Sequence, residues 1–93
     1  MELKPKHINF VSFYWWVISR YYGKDNPRGD FAYDIKRDNN WPIFTSNRTI
    51  LLDYLHSKHA CEEIIELFKR IWRDYNRERK LYIRGHQGSG SDH

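Results

Sequence analysis

The chain has one cysteine, Cys61, in 93 residues, so no intrachain disulfide can hold it together and a reducing, cytoplasmic setting is expected. No apolar run approaches the roughly 20 residues a bilayer span needs, and the mean hydropathy of −0.88 points the same way. Lys4 and Lys6 near the amino terminus have no apolar segment behind them, so no signal peptide is expected. There is no glycine-rich phosphate loop and no nucleophile with a paired base. His56, His59 and Cys61 are metal-ligand types, but they number three at a helix junction, and Cys61 falls in an apolar stripe where a thiol is inert. No metal, cofactor or small-molecule substrate is expected, and no catalysis.

Aromatic residues, at 17%, are what the chain has in excess. Seven of them, Phe10, Phe13, Tyr14, Trp15, Trp16, Tyr21 and Tyr22, crowd into one short segment. Aromatic side chains carry the largest apolar area open to so small a chain, so the core is expected to be built here. The segment predicts a first helix over about 12–22, with Ser12 capping its start and Gly23 stopping it. At 100° per residue, the aromatic and aliphatic residues from Phe13 to Ile18 point all round the axis, more than one buried face can absorb. Trp15 is therefore expected to be at least half exposed and, with Tyr22 seven residues on, to form a protein-interface patch.

Residues 1–9 read as an extended arm and 10–84 as one helical domain. A short second helix is predicted over about 29–39, with Phe31, Ala32 and Ile35 on its apolar side. Asp30, Asp34 and Asp38 line another side of it; Lys36 and Arg37 make that a mixed solvated face. Trp41-Pro42 ends the helix, since the residue before a proline is pushed out of the helical region, and Trp41 is expected to plug the core. Thr45 or Ser46 should cap a third helix over about 47–56, burying Ile50, Leu51, Tyr54 and Leu55. The last helix should start near His59 and reach at least Tyr75, with Cys61, Ile64, Ile65, Phe68, Ile71, Trp72 and Tyr75 as its stripe. From Gly85 the composition suggests a flexible tail over 85–93. The fold class is all-α: a compact bundle of four to five short helices with a long C-terminal one. Its core should join Phe13, Phe31, Trp41, Ile50, Leu55, Phe68, Trp72 and Tyr75.

The order Ser12-Phe13-Tyr14, Phe31-Ala32 after an acidic residue, Asp38 followed by Trp41-Pro42, Ile50 with Tyr54-Leu55, and then Phe68, Trp72 and Tyr75 resembles the YozE family. These are small bacterial proteins whose helical fold is similar to the sterile alpha motif. The resemblance implies that fold and no catalytic residues. The arm before Ser12, the second tryptophan of helix one and the basic extension after Tyr75 depart from the pattern, and a function particular to this chain would lie there.

The formal net charge is +4, and its excess sits in one place. Lys69 to Arg84 holds seven cations against Asp74 and Glu78. Arg70, Arg73, Arg77, Lys80 and Arg84, spaced 3, 4, 3 and 4, share one helix face opposite the apolar stripe. A solvated face and an acidic protein partner are both compatible with that spacing. The reading adopted is a track for a phosphate backbone, in which cations on a rigid rod displace counterions without reading sequence. The expected function is thus a non-catalytic accessory module that binds single-stranded DNA weakly and a larger protein, such as a polymerase, primase or helicase. The alternative is a protein-interaction adaptor that binds no nucleic acid.

Overall fold

The computed structural model describes the backbone of residues 10–91 and side chains through residue 83. The arm over residues 1–9 and the side chain of Arg84 lie outside the described residues. Among those described there are four helices and no strands, as the fold class required: α1 (Phe13–Tyr21), α2 (Pro27–Arg37), α3 (Arg48–Ser57) and α4 (Glu62–Ser91). The backbone of α4 continues through 85–91, so its helix does not end at Gly85, where the tail was expected to begin. No helix among the described residues is long and apolar enough to cross a membrane.

α1 packs against α2 and α4, and α3 rests on α4. Phe13, fully buried, stands at the centre. Its ring meets Phe68, Trp72 and Tyr75 of α4 at 5.4 Å between centroids and Phe31 of α2 at 6.5 Å. Mostly edge-on or tilted, these pairs suit the quadrupoles of the rings. Trp41 is 4% exposed, closed over by Phe31 on one side and Tyr54 on the other. Ile50 does not join this core. It is half exposed on the first turn of α3, and Leu51, one residue on and 100° round, is fully buried in its place.

The helix ends differ from expectation, because local side chains compete with distant ones for the same orphan amides. Ser12 does not cap α1; its hydroxyl is buried without a partner. The Phe13 amide instead donates to Ser46 Oγ, 33 residues away, at 3.1 Å. Tyr75 donates to the Val11 carbonyl at 2.7 Å and lies 3.0 Å from Ser46 Oγ. With one phenolic proton already given to Val11, the second bond is served by the serine hydroxyl. Ser46 being spent there, Asn47 caps α3 by accepting from the Ile50 amide. α2 begins two residues early, since Asn26 accepts from the Gly29 amide and Pro27 takes the first helical position, where a missing N–H costs nothing.

Two glycines are required, Gly23 by the turn it makes and Gly29, inside α2, by the close approach of the chain before that helix. Tyr22 and Gly23 (φ +89°) form a type II turn closed by the Lys24 amide on the Tyr21 carbonyl. A β-carbon on Gly29 would stand 1.9 Å from the Lys24 carbonyl oxygen. Where α3 ends, the left-handed residue is His59 (φ +60°), with Ala60 N–H reaching back to the Leu55 carbonyl and His59 N–H to that of His56. α4 accordingly starts at Glu62 rather than near His59, and Cys61 is exposed just before it, outside the apolar stripe.

Ser46→Ala should lower stability by about 1–2 kcal/mol, the range for losing a cap and a partly buried hydroxyl partner. Ser12→Ala should stay within about 0.5 kcal/mol of the parent, as substitutions that remove no interaction do. Urea unfolding of both variants measures the difference, and equal losses would return the cap to Ser12. His59→Gly should stabilise by up to about 1 kcal/mol by relieving the left-handed penalty; an unchanged or lower melting temperature would count against strain at this turn.

Candidate nucleic-acid interface

The face opposite the α4 stripe is fixed by what the stripe buries. Phe68, Ile71, Trp72 and Tyr75 are all buried, and this sets the rotation of the helix. Arg70, Arg73, Arg77 and Lys80 are then left exposed on the far side. Lys69 and Arg79 lie off this line: Lys69 pairs with Glu66 at 3.5 Å, while Arg79 bonds Asn76 and lies over the Trp72 and Tyr75 rings.

The two carboxylates of the segment are engaged by cations from other helices. Asp74 takes Arg28 of α2 at 2.7 Å and Arg77 of its own helix at 3.1 Å. Glu78 takes Arg20 of α1 at 2.7 Å and accepts from the Trp16 indole at 3.4 Å. Each acid therefore recruits a further arginine to the surface, and local neutralisation within α4 is small. Arg70, Arg73 and Lys80 have no ion pair among the described residues. Arg73, Asn76, Arg77, Lys80 and Leu81 enclose a shallow depression of about 260 Å³. Mid-helix backbone amides are already spent, so this face offers charge and no backbone donors.

Arg28 is the member of this cluster that sequence reading missed. Burial works against its charge, but the Asp74 and Tyr21 hydrogen bonds outweigh it and raise its pKa. The Arg28 hydrogen bond, with the charges of Arg28 and Arg77, holds the Asp74 carboxyl below the ordinary range against the opposing effect of burial. Its only sequence signal was its place just after Asn26-Pro27, at the start of a helix.

Trp15 is 51% exposed and Trp16 3%. Phe13, Trp16 and Val17, at i, i+3 and i+4, fill the core, and Trp15 falls between them on the other side. Tyr22, at the C-cap of α1 and 45% exposed, is also outward. Its ring stacks on Tyr33 of α2 at 6.4 Å, with Lys36 over it, while the ring beside Trp15 is that of Tyr14. Tyr33 and Phe44, the latter 88% exposed, were not expected as surface aromatics. Among the described residues no three His, Cys, Asp or Glu side chains converge as a metal ion needs.

A family model described as the YozE SAM-like fold matches residues 12–77. Comparison with curated proteins and with solved structures gives no match.

The lowered Asp74 pKa sets the sign of an acid effect. A carboxylate with a depressed folded pKa contributes stability that is complete above its unfolded value near 4 and is lost as pH falls through the folded value. Thermal melts from pH 7 down to 2 should show Asp74→Asn less stable than the parent at neutrality but falling less steeply below about pH 4. Parallel curves would mean that the Arg28–Asp74 pair adds nothing.

Proposed function

The chain belongs to the YozE SAM-like family, and from that premise we propose a non-catalytic accessory module that binds a nucleic-acid backbone and a larger protein. The family is not a known class of enzymes. The observation that carries the nucleic-acid reading is the α4 face: Arg70, Arg73 and Lys80 exposed in one line without ion pairs among the described residues, and Arg77 beside them. Side-chain cations on one rod suit phosphates of any sequence, and a flexible single strand of DNA follows such a line most readily. Exposed Trp15 supports the protein partner, an aromatic anchor on a rigid helix. A polymerase, primase or helicase working in the cytoplasm is the class of partner proposed, and the lone cysteine agrees with that compartment.

A second reading, an adaptor without nucleic-acid affinity, draws support from the same Trp15 and from the exposed Tyr22–Tyr33 stack. Salt separates the two. Anisotropy of a labelled oligo-dT strand should report weak binding whose log–log salt slope is about −0.7 per phosphate contact, hence roughly −2 for three cations. Arg73→Glu with Arg77→Glu should abolish it at unchanged melting temperature. No binding at low salt, or binding indifferent to salt, would leave the adaptor.

A further inference from the structure

Between α2, the end of α3 and the first half of α4 runs a trough that meets the cationic α4 face only at Arg70. One part of it, about 250 Å³, is lined by Phe31, Ile35, Trp41, Leu55 and Ile64. At Ile64 it adjoins a second depression of about 310 Å³, which Pro27 and Leu67 continue toward the start of α2. The two lie at or below the lower end of the roughly 300–1,000 Å³ of sites that enclose a whole small-molecule ligand, and each suits one or two apolar side chains instead. Following the 11 residues of α2 at about 1.5 Å each, the trough is about 16 Å long, three turns of a helix.

Its rim is acidic. Asp30 and Asp34 on α2 and Glu63 on α4 are exposed and have no ion pair or hydrogen-bond partner among the described residues. Two cations stand at its ends. Burial works against the charge of Asp38, but the Tyr54 hydroxyl, the Asn40 amide and the nearby Lys58, which lies over the Tyr54 ring at 5.8 Å, outweigh it and hold the carboxyl ionised. Arg70, at the other end, has no ion pair among the described residues, so the carboxylates of the rim outnumber the cations. Uncompensated carboxylates repel phosphate, so nucleic acid is not the occupant. In the floor, the Trp41 indole N–H is buried with no acceptor, which makes it a sensitive reporter of anything seated above it.

We propose that this trough docks a short amphipathic helix of a partner protein. The helix seats its apolar stripe on the partly exposed Ala60, Ile64 and Leu67, with the buried Phe31, Ile35 and Leu55 beneath them, and sets flanking lysine or arginine side chains on Asp30, Asp34 and Glu63. Helix-in-groove recognition needs those two elements together, an apolar floor for i, i+3, i+4 and i+7 anchors and a charged rim that fixes sign and register. The assignment does not depend on the α4 face binding nucleic acid.

The test is a titration of the whole ¹⁵N-labelled chain with an 11-residue synthetic peptide carrying leucines at helical spacing flanked by lysines. A second peptide has glutamate in place of each lysine. The lysine peptide should move the Trp41 indole signal and leave that of Trp15 in place, and the glutamate peptide should move neither. Asp34→Lys with Glu63→Lys should weaken binding by about tenfold or more at an unchanged melting temperature, while Arg73→Glu with Arg77→Glu should bind the peptide as the parent does. Equal binding of both peptides, or indifference to the charge reversal at Asp34 and Glu63, would overturn the proposal. So would trough signals that shift with the concentration of the chain alone, since the occupant would then be a second copy.

Discussion

Tyr75 is the residue on which the arrangement turns. Its ring, 1% exposed, touches Phe10, Phe13, Trp16 and Trp72, and its hydroxyl reaches both Val11 and Ser46. One side chain thus joins the entry to α1, the segment between α2 and α3, and the middle of α4. A tyrosine can do this where a phenylalanine cannot, because the apolar body fills the core while the oxygen satisfies polar groups at its edge. The polar edge is also where α1 begins, its first amide served by Ser46. Packing and capping are therefore one event, and α1 has no properly capped start until the chain around residue 46 has come back to it.

The same residue orients the cationic face of α4. Arg73 and Arg77 lie two positions either side of Tyr75, about 200° round the helix, so burying the tyrosine points both outward. Asp74 and Glu78, at the boundary of that face, are held by Arg28 and Arg20 from α2 and α1. Such partly exposed pairs contribute little stability one by one. Their larger effect is on surface charge, since they leave Arg70, Arg73 and Lys80 unopposed along α4. Across α2, the reverse holds: Asp30, Asp34 and Glu63 are the unpaired groups. The described part of the bundle is thereby polarised, basic on its outer α4 face and acidic along the rim of the trough, with Arg70 where the two meet.

The four helices and most of the core were legible because their signals are local and repetitive. Phe31, Leu55, Phe68, Trp72 and Tyr75 are buried on the faces their spacing indicated, and Phe13 and Trp41 are buried with them. The one residue of that expected core that is not buried, Ile50, opens a run of three aliphatics, Ile50-Leu51-Leu52, whose periodicity does not say which of them faces inward. Caps were less legible. Ser12, Thr45 and Ser46 are all good capping types, and which of them serves which helix depends on a contact 33 residues long. The start of α4 was missed for a related reason: His59 takes a left-handed conformation that glycine usually fills, so no residue type announced the break. Arg28 escaped notice because its partner, Asp74, is 46 positions away.

Length past the bundle raises a separate physical question, since a helix projecting beyond its partners frays unless something supports it. Lys80 lies five residues beyond Tyr75, on the part of α4 where contacts from α1 and α2 are ending. Phe10 supplies the support. Its ring meets Tyr75 at 5.6 Å and Tyr82 at 5.2 Å, two turns apart along α4, and so splints the stretch that carries Arg77 and Lys80. The backbone just after Phe10 is in turn held by Tyr75 through the Val11 carbonyl. The chain entering α1 thus braces the helix that presents the cations, and the proposed phosphate track would gain from being held straight, because ordering a flexible strand of lysines and arginines would cost conformational entropy at each contact.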